Sequence, residues 1–288
     1  MEHLEHHTTT VNGIQMHYVQ TGSGPLLVLL HGFPEFWYSW RQQFAALSPH
    51  FTVVAPDLRG YNDTDKPANG YEIDVLASDV LALVRGLGYE RAAIAGHDWG
   101  GVLAWHLGIF HSQHVERLVV LNLPHPALMR RAMVTNPLQM FRSIYMGLFQ
   151  VPILPEALIS ANNFVNLERA MRGTAVNQSA FTDADIERYR EALSKPGALT
   201  AALNWYRALG RSAFRTYNVP DSALHVTVPT LLIWGAGDPV LGVELTYGTE
   251  QFVNNLSIRY IKESGHWVHQ EQPELVNRYL LEFLTNTL

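Results

Sequence analysis

An aspartate stands where a strand-like run gives way to a helix-like one, in Ala95-Gly96-His97-Asp98-Trp99-Gly100-Gly101. Small residues flanking a central nucleophile are what a sharp strand-to-helix turn needs, because larger neighbours would collide there. A carboxylate on such a turn is ionised at neutral pH and can attack carbon without a base. Taken alone, Asp98 could equally cap the helix that follows it. Two residues further along raise the chemical reading. Asp238, in Trp234-Gly235-Ala236-Gly237-Asp238-Pro239, follows the apolar run 230–234. His266, in Gly265-His266-Trp267, follows the run 257–261. A carboxylate that orients a histidine, and a histidine that deprotonates water, can clear a covalent intermediate from an acidic nucleophile. His269 competes for the base role. Gly265 suits the tight loop a catalytic histidine needs, so His266 is the base in this reading and His269 a packing or surface residue.

The elements that must position these groups alternate. Segments 8–11 and 14–19 flank Asn12-Gly13, a hairpin signal because both turn residues tolerate positive φ. Short apolar runs follow at 26–30, 53–55, 92–95, 118–121, 230–234 and 258–261. Helix-length segments at 39–48, 73–88, 101–110 and 273–284 lie between or after them. Uninterrupted apolar runs fit strands covered on both faces, and the alternation predicts an α/β fold with a mostly parallel sheet flanked by helices. From 126 to 227 the strand runs stop. Helix-like segments near 136–150, 155–172, 183–194 and 197–211 read as an inserted helical cap over the C-terminal edge of the sheet, where open α/β sheets bind ligands. The expected division is a core at 1–125, a cap at 126–227 and the rest of the core at 228–288.

Composition narrows the function classes. The 288 residues carry a net charge of −6, and no basic run suggests nucleic acid. Cysteine is absent, which excludes thiolate catalysis, disulfides and Cys-bound metals. The longest aliphatic run near the start has five residues, far below the roughly 20 of a membrane span. The polar start, with His3, His6 and His7, reads as a frayed tail and not as a metal site or a signal peptide. No phosphate loop, GxGxxG after a strand or HExxH occurs, and His106, His111, His114 and His125 suggest no ligand set. No cofactor and no metal are expected. The cytoplasm is the expected location, and a monomer or homodimer the expected state.

HGFPEFWYSWRQQ at 31–43, APDLRGY at 55–61, AGHDWGG at 95–101 and WGAGDPV at 234–240 resemble the epoxide hydrolases of the α/β-hydrolase fold. The resemblance runs over nearly the whole chain after the tail and is loosest in the cap. It implies the chain order nucleophile, acid, histidine: Asp98, Asp238, His266. It also implies an oxyanion hole built from the backbone N–H groups of Phe33 and Trp99, with His31 and Pro34 in the same binding loop. Two cap tyrosines are implied to face the nucleophile: Tyr145, four residues before Phe149-Gln150, and Tyr206 in Asn204-Trp205-Tyr206-Arg207. The stretch after Arg59-Gly60 departs from the usual Tyr-Gly-x-Ser, reading Tyr61-Asn62-Asp63-Thr64, which alters a loop rather than the chemistry. Glu35 and Trp37 match the motif without an assigned role.

The implied substrate is a small apolar epoxide, and the implied product a vicinal diol. A haloalkane dehalogenase would use the same Asp98 and His266. Its halide needs N–H donors, however, and Phe33 stands where such enzymes often carry Asn. A binding protein on the same fold would have no need for the full set of Asp98, Asp238, His266, Tyr145 and Tyr206.

Overall fold

A computed structural model describes residues 4–217 and 219–286. β1 (Glu5–Val11) and β2 (Ile14–Thr21) form the expected hairpin, with Asn12 at φ 43° and Gly13 at φ 77°. The hairpin reaches further back than its apolar pattern suggests. His6 stands opposite Val19 and His7 opposite Tyr18, so these histidines belong to a strand and not to a frayed tail. His3 lies outside the described residues.

β3 (Leu26–Leu30), β4 (Thr52–Pro56), β5 (Ala92–His97), β6 (Val115–Leu121) and β7 (Thr230–Gly235) are buried along most of their length, as strands covered on both faces must be. β8 (Leu256–Ile261) closes one edge and is partly exposed. The eight strands lie in the order β1-β2-β4-β3-β5-β6-β7-β8. β1 and β2 are antiparallel to their neighbours, and the other pairs are parallel.

The core helices are α1 (Phe44–Leu47), α2 (Ile73–Gly86) and α3 (Trp99–Phe110). The helix expected over 39–48 is instead a 3₁₀ turn, Trp37–Trp40, followed by the single turn of α1. Between β6 and β7 come α4 (Pro126–Thr135), α5 (Pro137–Arg142), α6 (Ile144–Leu148), α7 (Leu154–Thr174), α8 (Asp183–Ser194) and α9 (Ala198–Tyr217). α10 (Val268–Glu271) and α11 (Pro273–Thr285) follow β8.

The helix expected over 136–150 is two short pieces. The Asn136 side chain caps α5 at its start, and Ser143 sits between α5 and α6. α4 lies ahead of the first helix expected in this stretch; Pro126 at its first position and the His125 side chain on the Ala127 N–H mark its start. α7 is kinked where Asn162, Asn163 and Phe164 take positive φ. α8 opens with a reciprocal capping box between Thr182 and Asp185.

The inserted helices are fastened to the sheet by buried polar contacts. The Trp205 indole N–H donates to the Arg59 carbonyl at 3.0 Å, and the Tyr38 hydroxyl to Asp185 at 2.9 Å. Arg59 itself is fixed by two bonds to Asp79, at 2.7 and 2.8 Å. Among the described residues, no helix is long and apolar enough to cross a membrane.

The junction of β5 and α3 is a very tight backbone contact. A Cβ on Gly100 would lie 2.1 Å from the Leu30 carbonyl oxygen, and one on Gly96 2.1 Å from the Gly100 oxygen. Neither neighbour is a side chain that can swing away. Gly100→Ala is therefore expected to cost about 3 kcal/mol or more, read as a lower urea midpoint. Gly86→Ala, in open space at the end of α2, is expected to gain about 0.4–1 kcal/mol in the same experiment. Equal midpoints for the two variants would contradict this account of the junction.

Candidate active site

Asp98 precedes α3 with φ 49° and ψ −118°, a conformation that non-glycine residues rarely adopt. Its side chain makes no capping hydrogen bond to α3, so the capping role does not describe it. It turns toward the loop after β3 instead. The Phe33 N–H donates to Asp98 Oδ2 at 3.0 Å. A Cβ on Gly32 would lie 2.5 Å from the Asp98 Cβ, so only glycine lets that loop close over the carboxylate.

His31 anchors the loop from below. It is buried; its Nδ1 bonds the Gly32 carbonyl at 2.9 Å, and its Nε2 accepts the Leu58 N–H at 3.0 Å. Both ring nitrogens are thus engaged on backbone, and burial pushes the imidazole below its ordinary pKa. Pro34 is buried behind Phe33. Trp99 begins α3, where the first amides of a helix have no partner within it.

The second half of the sheet supplies the other two groups. The loop after β7 carries Asp238, and the loop after β8 carries His266. His266 Nδ1 lies 2.8 Å from Asp238 Oδ2, and His266 Nε2 lies 3.6 Å from Asp98 Oδ1. Burial pushes the imidazole down, but Asp238 and then Asp98 outweigh it and hold His266 well above its ordinary value. Burial likewise works against the Asp238 carboxylate. Its bonds with His266, the Leu241 N–H and Asn122 keep it below the usual carboxylate range. His269 does not join this set. It packs against Trp40 and His97, is fully buried, and is pushed down to about 4 by that burial.

Several polar residues here have no role assigned from the sequence. Asn122, just past β6, takes φ 44° and is fully buried. Its Nδ2 donates to Asp238 Oδ2 at 2.8 Å, and its Oδ1 accepts the Gly235 N–H at 2.9 Å. An asparagine just past a buried strand was the available signal. Glu35 is also buried. It accepts the Gly32 N–H at 2.9 Å, the Gln270 amide at 2.7 Å and His97 Nδ1 at 2.9 Å. His97 Nε2 in turn meets the His266 carbonyl at 2.9 Å. This chain ties the Phe33 loop to the histidine loop beneath Asp98. Burial alone would raise the Glu35 pKa; His97 and His269 reverse that and hold it well below the carboxylate range.

The inserted helices close the site with aromatic rings. Tyr206, on α9, stands edge-on to Trp99 at 4.9 Å and to Phe33 at 5.4 Å between ring centroids. Tyr145, on α6, lies 6.1 Å from Tyr206, and Phe149 packs against both. Burial, reinforced by the nearby Asp98 charge, raises both phenols above their ordinary pKa. Asn62 takes φ 39° and binds Asp57 at 2.8 Å, away from the carboxylates of the site.

Two groups of side chains have metal-ligand character among the described residues: Glu35, His97 and His269, and His17, Asp57 and Asp63. In the first, all three are buried, Glu35 bonds His97 at 2.9 Å and His269 Nε2 lies 3.5 Å from Glu35. In the second, His17 Nδ1 is held by Asp57 at 2.6 Å and its Nε2 faces His6 at 3.0 Å.

A family model described as alpha/beta hydrolase fold matches residues 25–273. The chain is 41% identical over 280 residues to the AB hydrolase superfamily protein YfhM of Bacillus subtilis (strain 168), covering 96% of each chain. It is 38% identical over 282 residues to epoxide hydrolase 4 of Homo sapiens, covering 95% of this chain and 76% of that one. The solved structure of Bacillus megaterium epoxide hydrolase in complex with an inhibitor matches it with a TM-score of 0.88 and 32% identity, over 97% of this chain and 100% of that one. The strained aspartate, the histidine–aspartate pair behind it and these likenesses lead to one conclusion: the chain belongs to the α/β-hydrolase fold family, in its epoxide hydrolase group.

Proposed function

We propose that this protein opens epoxides to vicinal diols through an alkyl ester on Asp98. The observation that carries the reading is the surroundings of one carboxylate. Oδ2 is held by the Phe33 N–H, Oδ1 faces His266, and two phenols stand on the cap side. The relatives named as epoxide hydrolases support the same reading.

In the first step Asp98 Oδ1 attacks an epoxide carbon and the carbon–oxygen bond of the ring breaks. The electron pair goes to the ring oxygen. An alkoxide is a poor leaving group, so the step needs an acid. Tyr145 and Tyr206 hold both lone pairs of that oxygen, and one of them gives up its proton. Their raised pKa keeps them protonated at neutral pH, ready for a base as strong as an alkoxide. The result is an ester on Asp98 and a tyrosinate.

In the second step His266 takes a proton from water, and the hydroxide adds to the Asp98 carbonyl carbon. Negative charge gathers on Oδ2, where the N–H groups of Phe33 and Trp99 receive it. Collapse releases the diol and restores the Asp98 carboxylate, and the proton left over returns to the tyrosinate. Ester formation also tunes the base. It removes the Asp98 charge, one of the two that raise the His266 pKa, so the imidazole is more readily unprotonated, and free to take a proton, when water must be activated. Asp238, fixed by Asn122, keeps Nδ1 protonated and Nε2 facing the ester.

Removing both phenolic hydroxyls, in Tyr145→Phe with Tyr206→Phe, is expected to slow ester formation by about 10²–10⁴-fold in single-turnover measurements with styrene oxide. Diol production at the normal rate in that variant would overturn the acid role.

Asp238→Asn removes the strongest upward influence on His266. The pH above which the ester is hydrolysed should therefore fall by about one unit or more, while the maximal rate drops by up to about 10⁴-fold because the imidazole loses its orientation. A hydrolysis limb that stays in place would show that Asp238 does not act on His266.

A further inference from the structure

α6 carries Tyr145 but has little means of holding it in place. It is five residues long and contributes no fully buried side chain. A helix that short does not persist on its own. Ile144 and Leu148, on either side of the tyrosine in sequence, are exposed. Tyr206, in contrast, sits on the 20-residue α9, buried among Trp99, Phe33 and Phe149. Something outside α6 must set the distance between the two hydroxyls.

The residue after Tyr206 supplies that link. Arg207 Nε donates to the Phe149 carbonyl at 3.1 Å, and one terminal nitrogen donates to the Val151 carbonyl at 3.0 Å. These carbonyls belong to the chain just beyond α6. The guanidinium is held in turn by Glu156, in the first turn of α7, at 2.8 and 3.0 Å. Both partners are largely buried, with side-chain exposures of 13% and 19%. Gln150 adds a second link from the other side. Its amide donates to the Met146 carbonyl within α6 and to the Tyr206 carbonyl on α9, each at 3.0 Å. Gly210 leaves room for that amide: a Cβ there would lie 2.3 Å from Gln150 Oε1.

We propose that Arg207 is a positioning residue for epoxide opening. Clamped by Glu156, it fixes the 149–151 backbone, and Gln150 completes the clasp, so that the Tyr145 hydroxyl meets the same oxygen as Tyr206. The proposal rests on the acid role given above to the two tyrosines. It also assigns the clasp to one of the two chemical steps. Ring opening needs both hydroxyls in register; ester hydrolysis uses His266, Asp238 and the Phe33 N–H, whereas the hydrogen bonds that join Arg207, Glu156 and Gln150 to one another and to the backbone all end between residues 146 and 207.

The test is single-turnover kinetics with styrene oxide, in which ester formation and ester hydrolysis are timed separately by quenched-flow mass spectrometry. Arg207→Met should slow ester formation about tenfold or more and leave ester hydrolysis within about twofold. Arg207→Lys should recover little, because a single ammonium cannot serve two carbonyls and a carboxylate in one plane.

Gly210→Ala provides an independent variant should Arg207→Met fail to fold. Alanine favours a helix more than glycine does, so thermal stability should hold while the new methyl pushes the Gln150 amide aside. Ester formation should slow by about threefold, and the loss should vanish when Gly210→Ala is made in a Gln150→Ala background. Equal slowing of both steps, or unchanged ester formation in both Arg207→Met and Gly210→Ala, would overturn the proposal. Tyr145→Phe distinguishes the two levels: if it too leaves ester formation unchanged, the acid role itself has failed.

Discussion

Asp98 can hold φ 49° and ψ −118° only because its surroundings leave no room for alternatives and no side chains in the way. Gly96 and Gly100 let β5, α3 and the end of β3 touch backbone to backbone, and Gly32 lets the neighbouring loop lie on the carboxylate itself. A strained residue of this kind costs on the order of 1–3 kcal/mol and persists only when the packing around it is rigid. The central parallel strands, buried on both faces, supply that rigidity. The return is a carboxylate displayed at the end of β5, with one oxygen on a backbone donor and the other facing a histidine.

Electrostatics then separates the roles of the buried acids. Asp238 accepts two backbone N–H groups, Asn122 and His266, so it stays ionised and orients the ring. Glu35 does not bond Asp98 directly among the described residues. It joins the loop that carries Phe33 to the loop that carries His266, by way of His97 and Gln270. The loops on either side of Asp98 therefore cannot shift independently. On the side of the inserted helices the groups near Asp98 are phenols and rings, and the ion pair of the proposed clasp, Arg207 with Glu156, involves neither phenol.

Much of this was legible in the residues. Asp98, Asp238 and His266 announce themselves because each follows a strand-like run and lies within two residues of a glycine, a local pattern that survives without any knowledge of the fold. The sheet was legible for the same reason, since uninterrupted apolar runs have one stable use. Tyr145 and Tyr206 were legible only through family resemblance; periodicity alone would have read them as packing. Asn122, Glu35 and His97 could not be assigned, because most of their partners lie 62 to 235 positions away and only the closed sheet brings them together. The pieces between 126 and 154 failed for another reason. Many of their apolar residues, such as Val134, Leu138, Phe141 and Ile144, are exposed, so hydrophobic period does not mark where α4, α5 and α6 begin and end; caps such as His125 and Asn136 do.

The central claim is that Asp98 carries the substrate as an ester which His266 must clear. Intact-protein mass spectrometry of His266→Gln after exposure to styrene oxide tests it most directly. The account predicts a stable adduct equal in mass to the whole epoxide, lost when Asp98→Asn is added. No adduct with styrene oxide or bulkier epoxides, or one that forms only with a 1-bromoalkane and has the mass of the alkyl group alone, would contradict it.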